Sequence, residues 1–222
     1  MAPTPNAAAR ALAGRLTVLA RQAMGRRGVF NLALSGGPEG SLLFEALVNT
    51  EIFWGRVNVF QLDEGVAGDG DRARTATALL EELSDQVGLP PGRLHVMDPT
   101  AADRDAAARR HAASLPEHID VVQFGLAADG RLGGWPAGDV PTGDGLDEEA
   151  AVVTIGPADD RRLTLTSAVV NRADHRFVLA VGAERRAALA ALLAGEPASW
   201  AARQLGPAVA YADRAAAGEQ AE

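Results

Sequence analysis

Cysteine is absent from the 222-residue chain, which excludes disulfides, thiolate metal sites and thiol nucleophiles. That absence fits a reducing compartment. Long apolar runs are also missing: no segment approaches the roughly 18 uninterrupted apolar residues that a spanning helix needs. The opening stretch MAPTPNAAARALAGRLTVLARQAMGRR scatters Arg10, Arg15, Arg21 and Arg26 through its apolar residues, whereas a signal peptide gathers its charge ahead of one apolar block. Basic residues form no long cluster and the formal net charge is −8, which argues against a general binder of nucleic acid or anionic membrane. The expectation is a soluble cytoplasmic protein with neither of those partners. Nothing in the histidine spacing suggests a metal site.

What is present is a chain able to build a core. Hydrophobic residues make up 47% of it, too many for global disorder. An Ala/Leu-rich amphipathic helix runs to about Arg27. GVFNLALSGG reads as a buried strand entering a tight turn, with Pro38 in the first turn of the next helix, where its missing N–H costs nothing. VNVFQL, RLHVMDP, IDVVQFG, AVVTIG, RRLTLT and RFVLAVG read as further strands, and AVAYADRAAA as a closing strand and helix. Between them lie the helices DRARTATALLEELSDQV, AADRDAAARRHAASL and AERRAALAALLA. Thr100 and Asp103 look like a capping pair for the second of these. Residues from about Leu132 to Glu149 read as a long loop, a candidate lid. Strands alternating with helices predict one α/β domain over residues 1–222: a three-layer, mostly parallel twisted sheet with helices on both faces, of Rossmann-like type.

In such sheets ligands bind beyond the carboxyl ends of the strands. Several strands end in unusual residues: one in Ser35-Gly36-Gly37, one in Asp63-Glu64-Gly65, one in Gly125 leading to Asp129-Gly130-Arg131, and one in Gly182 followed by Arg185. A parallel sheet puts all these tips on one rim. Glycines before a helix let backbone N–H groups approach an anion, although SGGPEGS is neither a Walker loop nor GxGxxG. Asp63 and Glu64 cannot both face one site, because side chains alternate along a strand. His111, His118 and His175 fall at the amino ends of strands, away from that rim, and His95 reads as a core residue. Trp135 and Trp200 either mark a contact or fill the core.

The tips taken together resemble the 6-phosphogluconolactonases of the glucosamine-6-phosphate isomerase superfamily. That family carries Leu-Ser-Gly-Gly, a Trp before a strand ending Asp-Glu-Arg, and Gly-x-Gly-x-Asp-Gly-His-Thr-Ala-Ser-Leu-Phe-Pro-Gly. It also has an Arg-x-Thr-Leu-Thr strand and Gly-x-x-Lys. The matching stretches here are LSGG at Leu34 to Gly37, Trp54 with VNVFQLDEG, FGLAADGRLGGWPAG, RLTLT and VGAER, in order from about residue 5 to about residue 217. The resemblance implies a cofactor-free lactonase hydrolysing 6-phosphogluconolactone in the oxidative pentose phosphate route, with Ser35, Gly36, Gly37 and Arg185 holding the phosphate; the expected partner is a small sugar phosphate or sugar lactone, and the expected state a monomer or homodimer. It implies catalytic roles for Asp63, Asp129 and the position of Arg131. It also implies substrate contacts from Ser35, Gly36, Gly37, Glu64, Gly125, Gly130 and Arg185.

The chain departs from the pattern at two charged positions. The histidine of Asp-Gly-His, which the resemblance makes the general base, is Arg131, and the arginine of Asp-Glu-Arg is Gly65. A guanidinium does not give up its proton at working pH, so a carboxylate (Asp63, Glu64 or Asp129) would have to serve as base. One expectation is that Arg131 supplies, from a neighbouring loop, the charge missing at Gly65. Two other readings stay open. One is a different superfamily reaction on an amino-sugar phosphate, which would miss the same histidine. The other is a repurposed member that binds a sugar phosphate or a partner without turnover.

Overall fold

In the computed structural model, residues 1–65, 74–138, 150–156, 161–195 and 200–218 are described, with the side chain of Trp200 left aside. Residues 66–73 and most of the candidate lid lie outside them. The helices are α1 (Pro5–Arg27), α2 (Gly37–Val48), α3 (Thr75–Ala78), α4 (Asp85–Val87), α5 (Arg104–Ser114), α6 (Ser167–Val170), α7 (Arg186–Ala194), α8 (Trp200–Gln204) and α9 (Arg214–Ala217). The strands are β1 (Phe30–Leu34), β2 (Val57–Gln61), β3 (Asp63–Gly65), β4 (Leu94–His95), β5 (Val121–Gly125), β6 (Val152–Ile155), β7 (Arg162–Leu165), β8 (His175–Ala180) and β9 (Val209–Ala212).

Six strands form a parallel sheet in the order β4-β2-β1-β5-β8-β9. Every residue of β1 and β5 is buried, as expected of central strands covered on both faces. The period of two sorts their side chains. Phe30, Leu32 and Leu34 join the core under α1 and α2, while Ala33, Val122 and Phe124 join the core on the other side. The result is three layers with the sheet in the middle.

AVVTIG and RRLTLT do form strands, but in a second sheet of order β3-β7-β6 whose pairs are antiparallel. The chain passes from one sheet to the other at Leu62, whose N–H donates to Leu34 in the first sheet and whose carbonyl accepts from Leu165 in the second. The Asp63-Glu64-Gly65 corner is therefore a short strand of its own, paired in the second sheet instead of simply ending the first. The capping expectation at α5 needs correction: Asp103 caps alone, accepting from Ala106 N–H at 2.8 Å, while the Thr100 hydroxyl donates to Asp98. Pro38 lies in the first turn of α2 as predicted. Among the described residues no helix is long and apolar enough to cross a membrane.

Candidate active site

The carboxyl ends of β1, β2 and β5 surround a cavity of about 170 Å³ lined by Ser35, Gly36, Gly37, Pro38, Glu39, Asp63, Gly125, Ala127, Arg131, Gly133 and Arg162. Asp63 is one of its two lining carboxylates. Its side chain is buried, with Oδ1 accepting from Ser35 Oγ at 2.7 Å and Oδ2 accepting from Arg162 Nη2 at 2.7 Å. The Ser35 contact is set by β1 pairing with both β2 and β5, which aligns the strand ends. The Arg162 contact comes from the second sheet, where Gly65 stands opposite Arg162 in register. A Cβ at Gly65 would come within 3.3 Å of Arg162 Nη1. Arg162, not Arg131, thus occupies the space over Gly65, which corrects the expectation drawn from sequence.

Arg131 belongs to the turn that follows β5. The turn is closed by the Ala127 N–H donating to Arg131 and the Gly130 N–H donating to Ala127. Trp135 anchors it from below: the indole is fully buried beside Phe124 and donates from Nε1 to the Leu165 carbonyl at 2.8 Å. Gly133 lets this turn lie directly on Asp63. Its φ is +53°, and a Cβ there would stand 3.0 Å from Asp63 Oδ1 and 3.1 Å from Ser35 Oγ. The guanidinium of Arg131 meets Asp129, with Nε 2.8 Å from Oδ2.

Ser35, Gly36, Gly37, Asp63, Gly125 and Arg131 are thus brought to one cavity, and Arg162 and Glu39 join them. Four of the residues named from sequence stand elsewhere. Glu64 faces away from Asp63, as strand alternation requires, and is fully buried. Its carboxylate accepts from the N–H groups of Gly65, Thr75 and Ala76 and from Arg74 Nε, so it holds the start of α3 and not a ligand. Asp129 is more than half exposed and acts on Arg131 from outside the cavity. Gly130 serves the turn alone. Arg185 lies behind the wall: its Nε is 2.8 Å from Glu39 Oε1 and it also pairs with Glu184.

Glu39 is the member of this group whose proton affinity is displaced. Burial pushes its carboxyl upward, against the opposing pull of its own backbone N–H and of Arg185. The histidines line no part of the cavity. His111 is buried on α5 and donates from Nε2 to the Gln61 carbonyl at the end of β2, so it is not at an amino end as expected. His95 stacks on Phe60. His118, Asp120 and Asp174 come close enough to offer ligands to an ion. Arg27 already supplies a cation there, pairing with Asp120 and lying 3.8 Å from Asp174.

Over residues 3–216 the chain matches the family described as glucosamine-6-phosphate isomerases/6-phosphogluconolactonase. The chain belongs to that family. A curated member, the 6-phosphogluconolactonase of Synechocystis, is 31% identical over 206 residues, covering 86% of this chain and 84% of its own. The solved 6-phosphogluconolactonase of Thermotoga maritima superposes with a TM-score of 0.81 at 18% identity, covering 92% of this chain and 94% of its own. A monomeric glucosamine-6-phosphate deaminase superposes almost as well, with a TM-score of 0.78 at 17% identity over 98% of each chain. The shared fold therefore does not choose the reaction within the family; the cavity's side chains must do so.

Proposed function

We propose that the chain hydrolyses a sugar-derived lactone by attack of water on the ring ester, without a histidine base and without a cofactor. The observation carrying this reading is the Ser35–Asp63–Arg162 constellation on the cavity, which Arg131 also lines. An ionised carboxylate offers about four lone-pair sites, of which Ser35 and Arg162 use one on each oxygen. Asp63 is thereby fixed in orientation and keeps capacity to accept a proton from water. The steps are simple. Water oxygen bonds to the carbonyl carbon, its proton passes to Asp63, and the ring C–O bond then breaks with that proton delivered to the leaving hydroxyl. Arg131 and Arg162 offer N–H donors to the negative charge that develops on the carbonyl oxygen. The 6-phosphogluconolactonase names of the curated relatives support the choice of an ester hydrolysis over an isomerisation or deamination.

The test is lactone opening followed against the spontaneous rate. The parent accelerates it, and Asp63→Asn, with melting temperature measured alongside, loses ~100-fold or more of kcat, the range typical of a general base. A parent no faster than the spontaneous rate sinks the reading. One observation favours binding without turnover: each guanidinium at the site already faces a carboxylate, and the family's histidine position holds Arg131. Ligand-induced thermal stabilisation with no acceleration would mark that outcome.

A further inference from the structure

We infer that Glu39 and its partner Arg185 make this cavity select an unphosphorylated sugar lactone over the corresponding phosphate ester; the inference rests on the lactonase reading for its substrate class, and on geometry for its charge preference. Glu39 is the third residue of α2 and lines the cavity. The N-terminus of a helix draws anions to its free N–H groups. Here the chain supplies the anion itself: the Glu39 carboxylate turns back on its own N–H, and only 5% of the side chain is exposed.

The neighbours hold it there. A Cβ on Gly125 would lie 3.2 Å from Glu39 Cβ and 3.4 Å from Oε2, so the side chain is packed against the end of β5. Arg185, which would otherwise greet an incoming anion, is bound to Glu39 and Glu184 and keeps only 15% of its side chain exposed. The remaining cations are balanced likewise, Arg131 by Asp129 and Arg162 by Asp63. Among the described residues that line the cavity, the two carboxylates (Glu39, Asp63) and the two guanidiniums (Arg131, Arg162) are each already in an ion pair, so an incoming anion meets no uncompensated cation there. A phosphate monoester brings a further charge of about −1.5 to −2 at neutral pH. It would have to displace Glu39 from Arg185 or lie beside it unscreened, whereas a hydroxyl in the same place can donate to the carboxylate.

The experiment has two arms. In the first, kcat/KM is measured for glucono-1,5-lactone and for its 6-phosphate, on the parent and on Glu39→Gln, with spontaneous opening subtracted. The parent favours the unphosphorylated lactone by at least ~10-fold, and Glu39→Gln narrows that ratio by at least ~10-fold; a parent preferring the phosphate ester, or a ratio indifferent to the substitution, overturns the inference. The second arm measures calorimetric binding of gluconate and 6-phosphogluconate to the parent, which needs neither turnover nor a folded variant. Tighter gluconate supports the inference even where no lactone is opened, an outcome that sinks only the lactonase reading. Tighter 6-phosphogluconate, or binding of neither, overturns it.

Discussion

Arg162 reaches over Gly65 to place Nη2 2.7 Å from Oδ2 of Asp63, two residues away from the glycine on the same short strand. The pair fixes the most buried acid of the site and links the two sheets at the cavity wall. Removing one partner leaves a buried charge uncompensated, which typically costs about 3–5 kcal/mol. Arg162→Gln should therefore lower stability by about 3 kcal/mol in chemical denaturation. Gly65→Arg in the parent should also destabilise, because its Cβ would press on Arg162. Introduced together, the two changes should recover part of the loss, since shortening residue 162 frees the space that a new arginine at 65 needs. Strict additivity of the two penalties would show that the two positions do not share one guanidinium site.

Arg131→His puts a titratable base on the turn that faces Asp63. Lactone opening should rise by ~10-fold or more, with a new limb in the pH–rate profile near the ordinary histidine range. A fall in rate, with the fold intact, would instead assign Arg131 an indispensable charge-stabilising part in the parent.

Trp135 is fully buried and hydrogen-bonded to Leu165, so it ties the Arg131 turn to the second sheet. Trp135→Phe should cost about 1–2 kcal/mol for the lost hydrogen bond, and Trp135→Ala about 3–5 kcal/mol. Both should raise KM more than a surface substitution of equal stability cost, because the turn carrying Arg131 and Gly133 loses its anchor. Equal KM values across the set would mean that the turn is positioned by something other than the indole.

The parallel sheet and the Ser35, Asp63 and Arg131 corners were legible because each is written locally, as an apolar run that stops at a glycine or an acid. What decides the cavity's charge was not. The Asp63–Arg162 pair depends on antiparallel pairing between strands far apart in the chain, which alternation in either strand leaves open. RRLTLT was read as a strand, but nothing in its pattern assigned it to a second sheet. Arg185 reads from sequence as a substrate contact, whereas its pairing with Glu39 needs the α2 and α7 starts to meet, which neither stretch shows locally. A signal for Glu39 did exist, an acid within two residues of the Gly36-Gly37 turn at the end of a buried strand. Glu64 went to the wrong side of the strand because two adjacent acids offer no local hint of which one faces inward.

The raised carboxyl of Glu39 predicts a particular pH dependence. A folded acid with a value above that of the unfolded chain holds its proton more tightly when folded, so its contribution declines as pH rises from the unfolded value through the folded one. Glu39→Gln removes that titration. The difference in melting temperature, variant minus parent, should therefore become more favourable to the variant between pH 4 and pH 8. A flat difference would mean that Arg185 fully offsets the burial of Glu39.

His111 predicts the opposite trend. Burial, reinforced by nearby His95, pushes its imidazole down from 6.5 to about 4 while Nε2 donates to the Gln61 carbonyl. Below the unfolded value the unfolded chain binds the extra proton and the folded one does not, so stability falls as pH drops from 6.5 toward 4. At about 1.4 kcal/mol per pH unit, the full loss is about 3 kcal/mol. His111→Gln, which retains a donor for Gln61 but cannot titrate, should cost stability at pH 7 and progressively less as the pH approaches 4. Denaturation midpoints of parent and variant at pH 7, 5.5 and 4 read this directly, and parallel curves across that range would place the acid sensitivity in some other group.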